Sequence, residues 1–505
     1  MNVHKLNESF SVIDADTQTL KTIFEYLKVE RPGAWFEPAV KAGFKSPYQY
    51  FGSIQNKKLL VMNGHLQLLG NFGVQPEVLE SDNNSLQIDE FVKDVKHILP
   101  FPPYDFQEQA FKESILNVKQ INKMCTGSGK SMTISLIAEF MRRQGKKGLL
   151  LVPNINLLTQ FKSDIESYNL HDLHNDTHTI GGGSSDKHFN CSLTISTWQS
   201  MQNWKDDLDQ LDYVITDEAH RFASDETAAI VKETINCKYK WGFTGTLPED
   251  PVAKMELFGL FGLPKTYITS AGLIERGLAT PIKINSIIFK YDRNDKNIFK
   301  EEKGYTKQLK FIKDHEPRNK FIVDLTTKLR GHGNTLVLFQ HTEHGKMLFM
   351  DTMKKLYPDV EVQNKDIAGK KSFDFQEQYG VYFLNGEDDA KTREKTRNVL
   401  ENHEDAILIA NYALLSTGVN IKKLHNMVLA SPLKAYTTVT QSIGRGMRLH
   451  ESKKEFVVYD LVDDMGIRSP GGIFYKQYQH RKNTSYNPEE FPVNEIDYPL
   501  FNNFA

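Results

Sequence analysis

The sequence predicts an α/β protein: two tandem parallel-sheet domains preceded by a small α+β unit. Three observations carry that prediction. Short apolar runs recur between segments of helical period, the pattern of strands buried on both faces. Two such series follow one another, the first from residue 101 and the second from residue 282. At 505 residues the chain is too long for one core, and its length suits about three or four domains.

The bulk numbers bound the class. A hydrophobic share of 39% and a charged share of 25% are those of a globular chain. Net charge is -2, from 62 basic and 64 acidic residues. That is not the signature of a strongly basic nucleic-acid binder, although a local basic groove can coexist with an acidic remainder. Cys125, Cys191 and Cys237 are scattered without metal-ligand spacing, which points to a reducing compartment. Residues 1–10 have no apolar core of signal-peptide length. No run approaches the roughly 20 apolar residues of a membrane span. A cytoplasmic protein with no membrane partner is expected.

Residues 1–100 read as the small unit. Residues 11–14 suit a strand, and residues 17–28 an amphipathic helix with Leu20, Ile23, Phe24 and Leu27 on one face. Then Trp35, Phe36, Phe44, Tyr48, Tyr50 and Phe51 interleave with Lys41, Lys45, Lys57 and Lys58. Aromatics beside lysines can bind nucleic acid by stacking and phosphate contact. They can equally be the core and solvated face of a small domain, and the residues alone favour that second reading.

The first large domain is expected over residues 101–281. A proline-rich boundary at 98–103 leads to Tyr104-Asp105-Phe106-Gln107, which opens a helix. The central stretch is Met124-Cys125-Thr126-Gly127-Ser128-Gly129-Lys130-Ser131, between a strand-like segment and an apolar-periodic run. Gly127 and Gly129 allow a tight turn that exposes backbone N–H groups. Lys130 can then reach the outer phosphates of a nucleotide, and the Ser131 hydroxyl can ligate Mg²⁺. The helix that starts here aims its positive end at the phosphates. Met124 stands where the strict phosphate-loop pattern has its first glycine, so an ordinary glycine-rich turn is the competing reading. Buried-strand runs follow at 149–153, 193–197, 213–216 and 241–246. Ligands of parallel sheets bind at the carboxyl ends of the strands. The phosphate loop, Asp217-Glu218 and Thr244 all follow strand runs, so one sheet edge could gather them.

A connector at 270–281 contains a helix-like piece, and the densely charged stretch 291–303 suits an exposed surface. The second large domain is expected over residues 282–465. Its strand runs lie at 335–339, 380–384, 406–410, 427–430 and 456–461. Residues 466–505 form a C-terminal extension with little periodicity.

Asp217 can hold Mg²⁺ opposite Ser131, and Glu218 can polarise the water that attacks ATP. Two acids opening a helix are also common as favourable N-terminal charges. Arg445 and Arg448 are spaced to share a helical face and can meet charge developing on a γ-phosphate. A solvated basic face is the plainer reading of such a pair. Gly444 and Gly446 weaken a helix interior, which suggests a close backbone approach there.

Taken together, these motifs resemble superfamily 2 helicases of the DEAH type. Cys125-Thr126-Gly127-Ser128-Gly129-Lys130-Ser131, Asp217-Glu218-Ala219-His220, Thr244-Gly245-Thr246 and Gln441-Ser442-Ile443-Gly444-Arg445-Gly446-Met447-Arg448 match motifs I, II, III and VI, in order. Val152-Pro153-Asn154 is similar to motif Ia, and Ser196-Thr197-Trp198 to the next nucleic-acid-contacting motif. Ser416-Thr417-Gly418-Val419-Asn420 is similar to motif V, although many relatives carry an acid where Asn420 stands. Residues 1–100, Thr244-Gly245-Thr246-Leu247-Pro248 and the stretch from Gln441 to His450 narrow the resemblance to phage recombination and fork-remodelling helicases.

The resemblance implies two RecA-like domains, Mg²⁺-dependent ATP hydrolysis and branched-DNA remodelling. Lys130, Asp217, Glu218, Gln441, Arg445 and Arg448 would be catalytic. ATP would be held by Thr126, Gly127, Ser128, Gly129, Lys130, Ser131 and Gly418, with Gln107 sensing adenine and Tyr104 or Phe106 stacking on the base. Ser131 and Asp217 would hold Mg²⁺. Thr244, Gly245, Thr246 and His220 would couple hydrolysis to nucleic acid, itself contacted at Pro153, Asn154, Thr197 and Thr417. The partners implied are branched or duplex DNA read by structure, RNA–DNA hybrid, and single-strand-binding or recombination proteins. The first hundred residues become an accessory DNA-binding domain. Three rivals stay open: an RNA helicase of the same superfamily, a non-catalytic ATP-gated nucleic-acid clamp, and a restriction-complex motor.

Overall fold

The computed structural model describes the chain except residues 75–79, 182, 185, 203–206, 368–371, 387, 413–420, 433–435, 467–471 and 501–505. The side chains of residues 364, 390 and 436–438 are also left undescribed. The chain divides into two compact units, Met1–Ile268 and Thr269–Ala505.

The first unit opens with an antiparallel sheet of β1 (Asn2–Lys5), β2 (Phe10–Asp14), β5 (Gly52–Gln55) and β6 (Lys58–Met62), ordered β1-β2-β6-β5. A small ribbon of β3 (Lys28–Glu30) and β4 (Tyr48–Tyr50) accompanies it. Helix α1 (Thr17–Tyr26) starts where the Asp16 side chain accepts from the Gln18 and Thr19 N–H groups, and it buries Leu20 and Ile23.

The larger part of this unit is a parallel sheet. Among the described residues its strands are β7 (Lys119–Met124), β8 (Gly148–Val152), β9 (Thr177–Ile180), β10 (Leu193–Thr197), β11 (Tyr213–Asp217), β12 (Tyr239–Thr244) and β13 (Pro264–Ile268). Their order is β13-β7-β12-β11-β8-β10-β9. Every residue of β8, β10, β11 and β12 is buried, as expected of parallel strands covered on both faces. Helices α2 (Asp105–Leu116), α3 (Lys130–Arg143), α4 (Ile155–Ser167) and α5 (Pro251–Phe261) alternate with these strands along the chain.

The first hundred residues do not stand apart from this sheet. Ile13, Leu20, Ile23, Leu59 and Leu66 share one apolar core with Ile121, Leu149, Leu257 and Phe261. Backbones approach closely at the seam, where a Cβ on Gly259 would sit 2.2 Å from Met62 Cε. Burial lowers the pKa of His65 to about 4. The ring is therefore neutral, and its Nε2–H donates to Met255 O at 2.8 Å.

The second unit carries another parallel sheet. Among the described residues it comprises β14 (Ile282–Lys290), β15 (Thr335–Phe339), β16 (Val381–Leu384), β17 (Ile407–Asn411), β18 (Asn426–Leu429), β19 (Phe456–Asp464) and β20 (Val493–Pro499). The order is β16-β17-β15-β18-β19-β14-β20. Helix α6 (Tyr436–Gly446) follows β18, and α7 (Gly472–Arg481) follows β19.

Two regions differ from the sequence expectation. The charged stretch 291–303 is not simply exposed, because Tyr291 is buried with its hydroxyl on Asp463 Oδ1 at 2.7 Å. The C-terminal extension supplies the edge strand β20, parallel to β14. It is tied down by Arg481, whose guanidinium spans Asp460 with Nη2–Oδ1 at 2.8 Å and Nε–Oδ2 at 3.2 Å.

Candidate functional site

The strand order explains why distant motifs meet. Parallel pairing sets Thr244 of β12 beside Lys123 of β7, and Asp217 of β11 beside Phe243 of β12. Thr216 of β11 lies beside Leu151 of β8, and Thr197 of β10 beside Val152. Five adjacent strands therefore end in the phosphate loop, residues 244–246, residues 217–220, residues 153–154 and Thr197, all on one sheet edge. These are the positions the sequence placed after its strand runs.

The phosphate loop explains its own departure from the strict pattern. Met124 is the last residue of β7 and is wholly buried. It does not take a positive φ, whereas Gly127 and Gly129 do, at 86° and 73°. The turn thus needs glycine at those two positions and an apolar anchor at Met124. Lys130 opens α3 with its ammonium 3.4 Å from Met124 O. Ser128 is buried, and its hydroxyl donates to Cys125 O at 2.7 Å. The Ser131 hydroxyl lies 2.8 Å from that of Tyr168, a residue no sequence pattern marked. Gly245 comes against this loop, since a Cβ there would lie 3.4 Å from Met124 O and 3.6 Å from Thr126 N.

Gln107 is bound to the loop itself. It accepts from Tyr104 N at 2.9 Å and donates to Ser128 O at 2.8 Å, with Gly129 O at 3.5 Å. Of the two aromatics expected to meet a base, Phe106 is buried and stacked beneath Tyr104 at 5.4 Å. Tyr104 is the exposed one, so the face available to a base is its own.

Asp217 ends β11 almost wholly buried, and its Oδ1 has no hydrogen-bond partner. Burial, reinforced by Glu218 and opposed by Lys130, pushes the acid up to about 7. A divalent cation would satisfy the orphan oxygen and favour the ionised form, so these residues fit Mg²⁺. Glu218 follows at φ 52°, a left-handed conformation that costs a non-glycine residue of order 1–2 kcal/mol.

A relay runs from Glu218 to the 244–246 turn. His220 Nδ1 lies 3.4 Å from Glu218 Oε2 and 3.0 Å from Thr244 Oγ1. The single Thr244 hydroxyl proton goes to Thr246 O at 2.6 Å, and the same oxygen accepts from Thr246 N at 3.2 Å. Nδ1 must therefore be the donor to Thr244. Burial lowers the His220 pKa, so the neutral ring carries its proton on Nδ1.

Further along the same edge lies a groove of about 620 Å³ lined by Pro153, Asn154, Lys187, Thr197, Gln199 and neighbours. Asn154 caps α4 by accepting from Leu157 N at 3.0 Å, and Thr197 Oγ1 lies 2.9 Å from Ser200 Oγ. Lys187, exposed on the wall, was not singled out by sequence. A cavity of about 790 Å³ in the second unit, beside Asp292, Lys310 and Asp314, contains none of the motif residues.

In the second unit, Gln441 and Arg445 ride on α6, but Arg448 does not. The helix ends at Gly446, so the two arginines do not share a helical face. The reason is local. A Cβ on Gly446 would sit 2.1 Å from the Phe456 ring. Buried Lys453 gathers the carbonyls of Gly446, Arg448 and Lys422 at 2.6, 2.7 and 3.1 Å. The close approach inferred at Gly446 is thus to the core of its own sheet. Thr417 and Gly418 lie outside the described residues.

Residues 100–249 match the family described as type III restriction enzyme, res subunit. The ATP-dependent DNA helicase UvsW of Enterobacteria phage T4 is 30% identical over 95% of this chain and 94% of its own length. The chain belongs to the UvsW helicase family. A second relative, the DNA 3'-5' translocase XPB2 of Sulfurisphaera tokodaii, is 28% identical over 42% of this chain and 47% of its own. The fold extends beyond the UvsW family. A fragment of an HsdR subunit of a type I restriction enzyme from Vibrio vulnificus YJ016 superimposes with a TM-score of 0.56. That match covers 86% of this chain and 73% of the other at 18% identity, and shows the fold alone. Both large sheets are RecA-like, and they accompany the small antiparallel sheet at the start of the chain.

Proposed function

We propose that the protein is an ATP-dependent DNA helicase or translocase that remodels branched DNA by branch migration, fork regression and R-loop unwinding. One observation carries the reading: a single edge of the first parallel sheet brings Lys130, Asp217, Glu218 and Thr244 into line with the groove of Pro153, Asn154 and Thr197. In this reading the N–H groups of residues 126–131 and the Lys130 ammonium bind the ATP phosphates. Ser131 and Asp217 would hold Mg²⁺, which would supply neutralisation of the phosphate charge. Glu218 orients the attacking water. Arg445, Arg448 and Gln441 are assigned to the negative charge that develops on the γ-phosphate. His220, Thr244, Gly245 and Thr246 report that event to the groove. Pro153, Asn154, Thr197 and Thr417 contact the nucleic-acid backbone, a mode that recognises shape rather than sequence.

The segment between β3 and β4 supplies a second DNA contact. Trp35, Phe36 and Phe44 are 52%, 80% and 88% exposed, beside the exposed Lys41 and Lys45. Exposed aromatics among lysines suit stacking on unpaired bases, whereas Phe51 of the same stretch is buried in the core and Tyr48 and Tyr50 are half-buried, as the core reading expects. RNA–DNA hybrids, single-strand-binding proteins and recombination proteins are the further partners of this reading, and the cytoplasm is its place of action. Among the described residues, no helix is long and apolar enough to cross a membrane. The test is ATP turnover with forks, four-way junctions, R-loops, plain duplex and single-stranded RNA. Strongest stimulation by branched DNA is expected. Stimulation by RNA alone, or no turnover with any of them, would overturn the proposal.

A further inference from the structure

Tyr168 follows the last residue of α4, and its hydroxyl stands 2.8 Å from Ser131 Oγ. Its ring is half-buried and meets Phe101 edge-on, with centroids 6.1 Å apart. A phenol hydroxyl can both donate and accept a hydrogen bond. The ring is held by a packed helix, not by a mobile surface chain. Leu158, Phe161 and Ile165 of α4 are buried, and the opposite end of the helix is capped by Asn154 in the groove wall.

A serine hydroxyl has one proton and two lone pairs. When a lone pair goes to a metal ion, the proton still needs an acceptor, and an outer acceptor fixes how the ligand points. We propose that Tyr168 is a positioning residue for the metal-holding serine: its phenol oxygen accepts the Ser131 proton and so directs the Ser131 lone pairs toward the cation that accompanies the nucleotide. The proposal rests on reading residues 124–131 as the nucleotide site. It adds a residue from a different helix, outside every motif. Because that helix begins at the groove, the Ser131 hydroxyl is connected through Tyr168 to the element nucleic acid would press upon.

The test uses the full chain with ADP and Mn²⁺, a paramagnetic stand-in for Mg²⁺ whose free and bound forms are counted by electron paramagnetic resonance. Tyr168→Phe keeps the ring against Phe101 and removes only the hydroxyl. It should weaken Mn²⁺ binding about tenfold, the scale on which outer-shell partners act. Ser131→Ala should weaken binding at least as much. The double variant should bind no worse than Ser131→Ala alone, because Tyr168 acts through the serine oxygen. Unchanged or tighter Mn²⁺ binding by Tyr168→Phe, or a double variant that loses the product of the two single effects, would overturn the proposal. If Ser131→Ala binds Mn²⁺ as tightly as the unaltered protein, the metal-site reading itself fails, and the proposal with it.

Discussion

Gln107 offers a quantitative test of how the phosphate loop is held. Replacing it with alanine removes the acceptor for Tyr104 N and the donor to Ser128 O, both in a position that is only 5% exposed. Only the second of these bonds reaches the loop, and leaving the buried Ser128 carbonyl without its donor costs about 2 kcal/mol of the loop's conformational preference. At about 1.4 kcal/mol per factor of ten, nucleotide binding should weaken roughly thirtyfold. The assay is displacement of a fluorescent ADP analogue. Because the effect acts on the loop and not on the base, tripolyphosphate, which has no base, should lose affinity by the same factor as ATP. Gln107→Glu sharpens the test. It keeps an acceptor for Tyr104 N but turns the donor into a carboxylate facing the carbonyls of Ser128 and Gly129, at 2.8 and 3.5 Å from the present amide nitrogen. It should bind at least as weakly as the alanine variant. Affinity of Gln107→Ala within threefold of the unaltered protein, or a loss confined to adenine nucleotides, would refute the reasoning.

Three further outcomes are expected. Burial pushes Asp217 of the metal-free fold up to about 7, above its ordinary 3.8, so the protonated form is favoured and its stabilising effect is lost as pH rises between those values. A metal must displace that proton, so Mn²⁺ affinity measured from pH 8 to pH 5 should hold above about 7 and then fall about tenfold per unit below it; Asp217→Asn should remove this dependence. Gly446→Ala would drive a methyl group into the Phe456 ring at 2.1 Å and should destabilise the second unit by about 1–3 kcal/mol in urea unfolding. Asp463→Ala strands Arg318, which is fully buried with Nε 2.7 Å from Asp463 Oδ1, and should cost about 3–5 kcal/mol in the same assay, a loss below 1 kcal/mol counting against that pairing.

The central strands of both parallel sheets were legible because strands buried on both faces write themselves as apolar runs. The runs at 193–197 and 335–339 coincide with β10 and β15. The gathering of motifs on one edge was legible for the same reason, since all but the phosphate loop, whose strand β7 is largely polar in sequence, followed such a run. What lay beyond reach was contact between distant helices. Tyr168 closes an amphipathic helix like many others, and only tertiary packing brings it to Ser131. Lys453 reads as one charge in a polar turn, yet it is buried and ends α6 by collecting three carbonyls. That ending is what separates Arg448 from the face of Arg445, which helical spacing alone could not reveal. Gln107 was read for a base, and the structure adds what its sequence could not show, hydrogen bonds to Tyr104 N and to the loop carbonyls. The edge strand β20 was missed because its polar, half-exposed residues lack the apolar signature of its neighbours. Met124 shows the reverse case. It read as a defect in a glycine pattern, and its place in a buried strand shows that no glycine was needed there.

The central claim is that residues 124–131 bind the ATP whose hydrolysis is driven by branched DNA. The most direct measurement is steady-state ATP turnover of Lys130→Ala beside the unaltered protein, with and without a synthetic fork, both proteins first shown to unfold at the same urea concentration. The unaltered protein should hydrolyse ATP and be stimulated by the fork, and Lys130→Ala should show neither activity. Full turnover by Lys130→Ala would contradict the account.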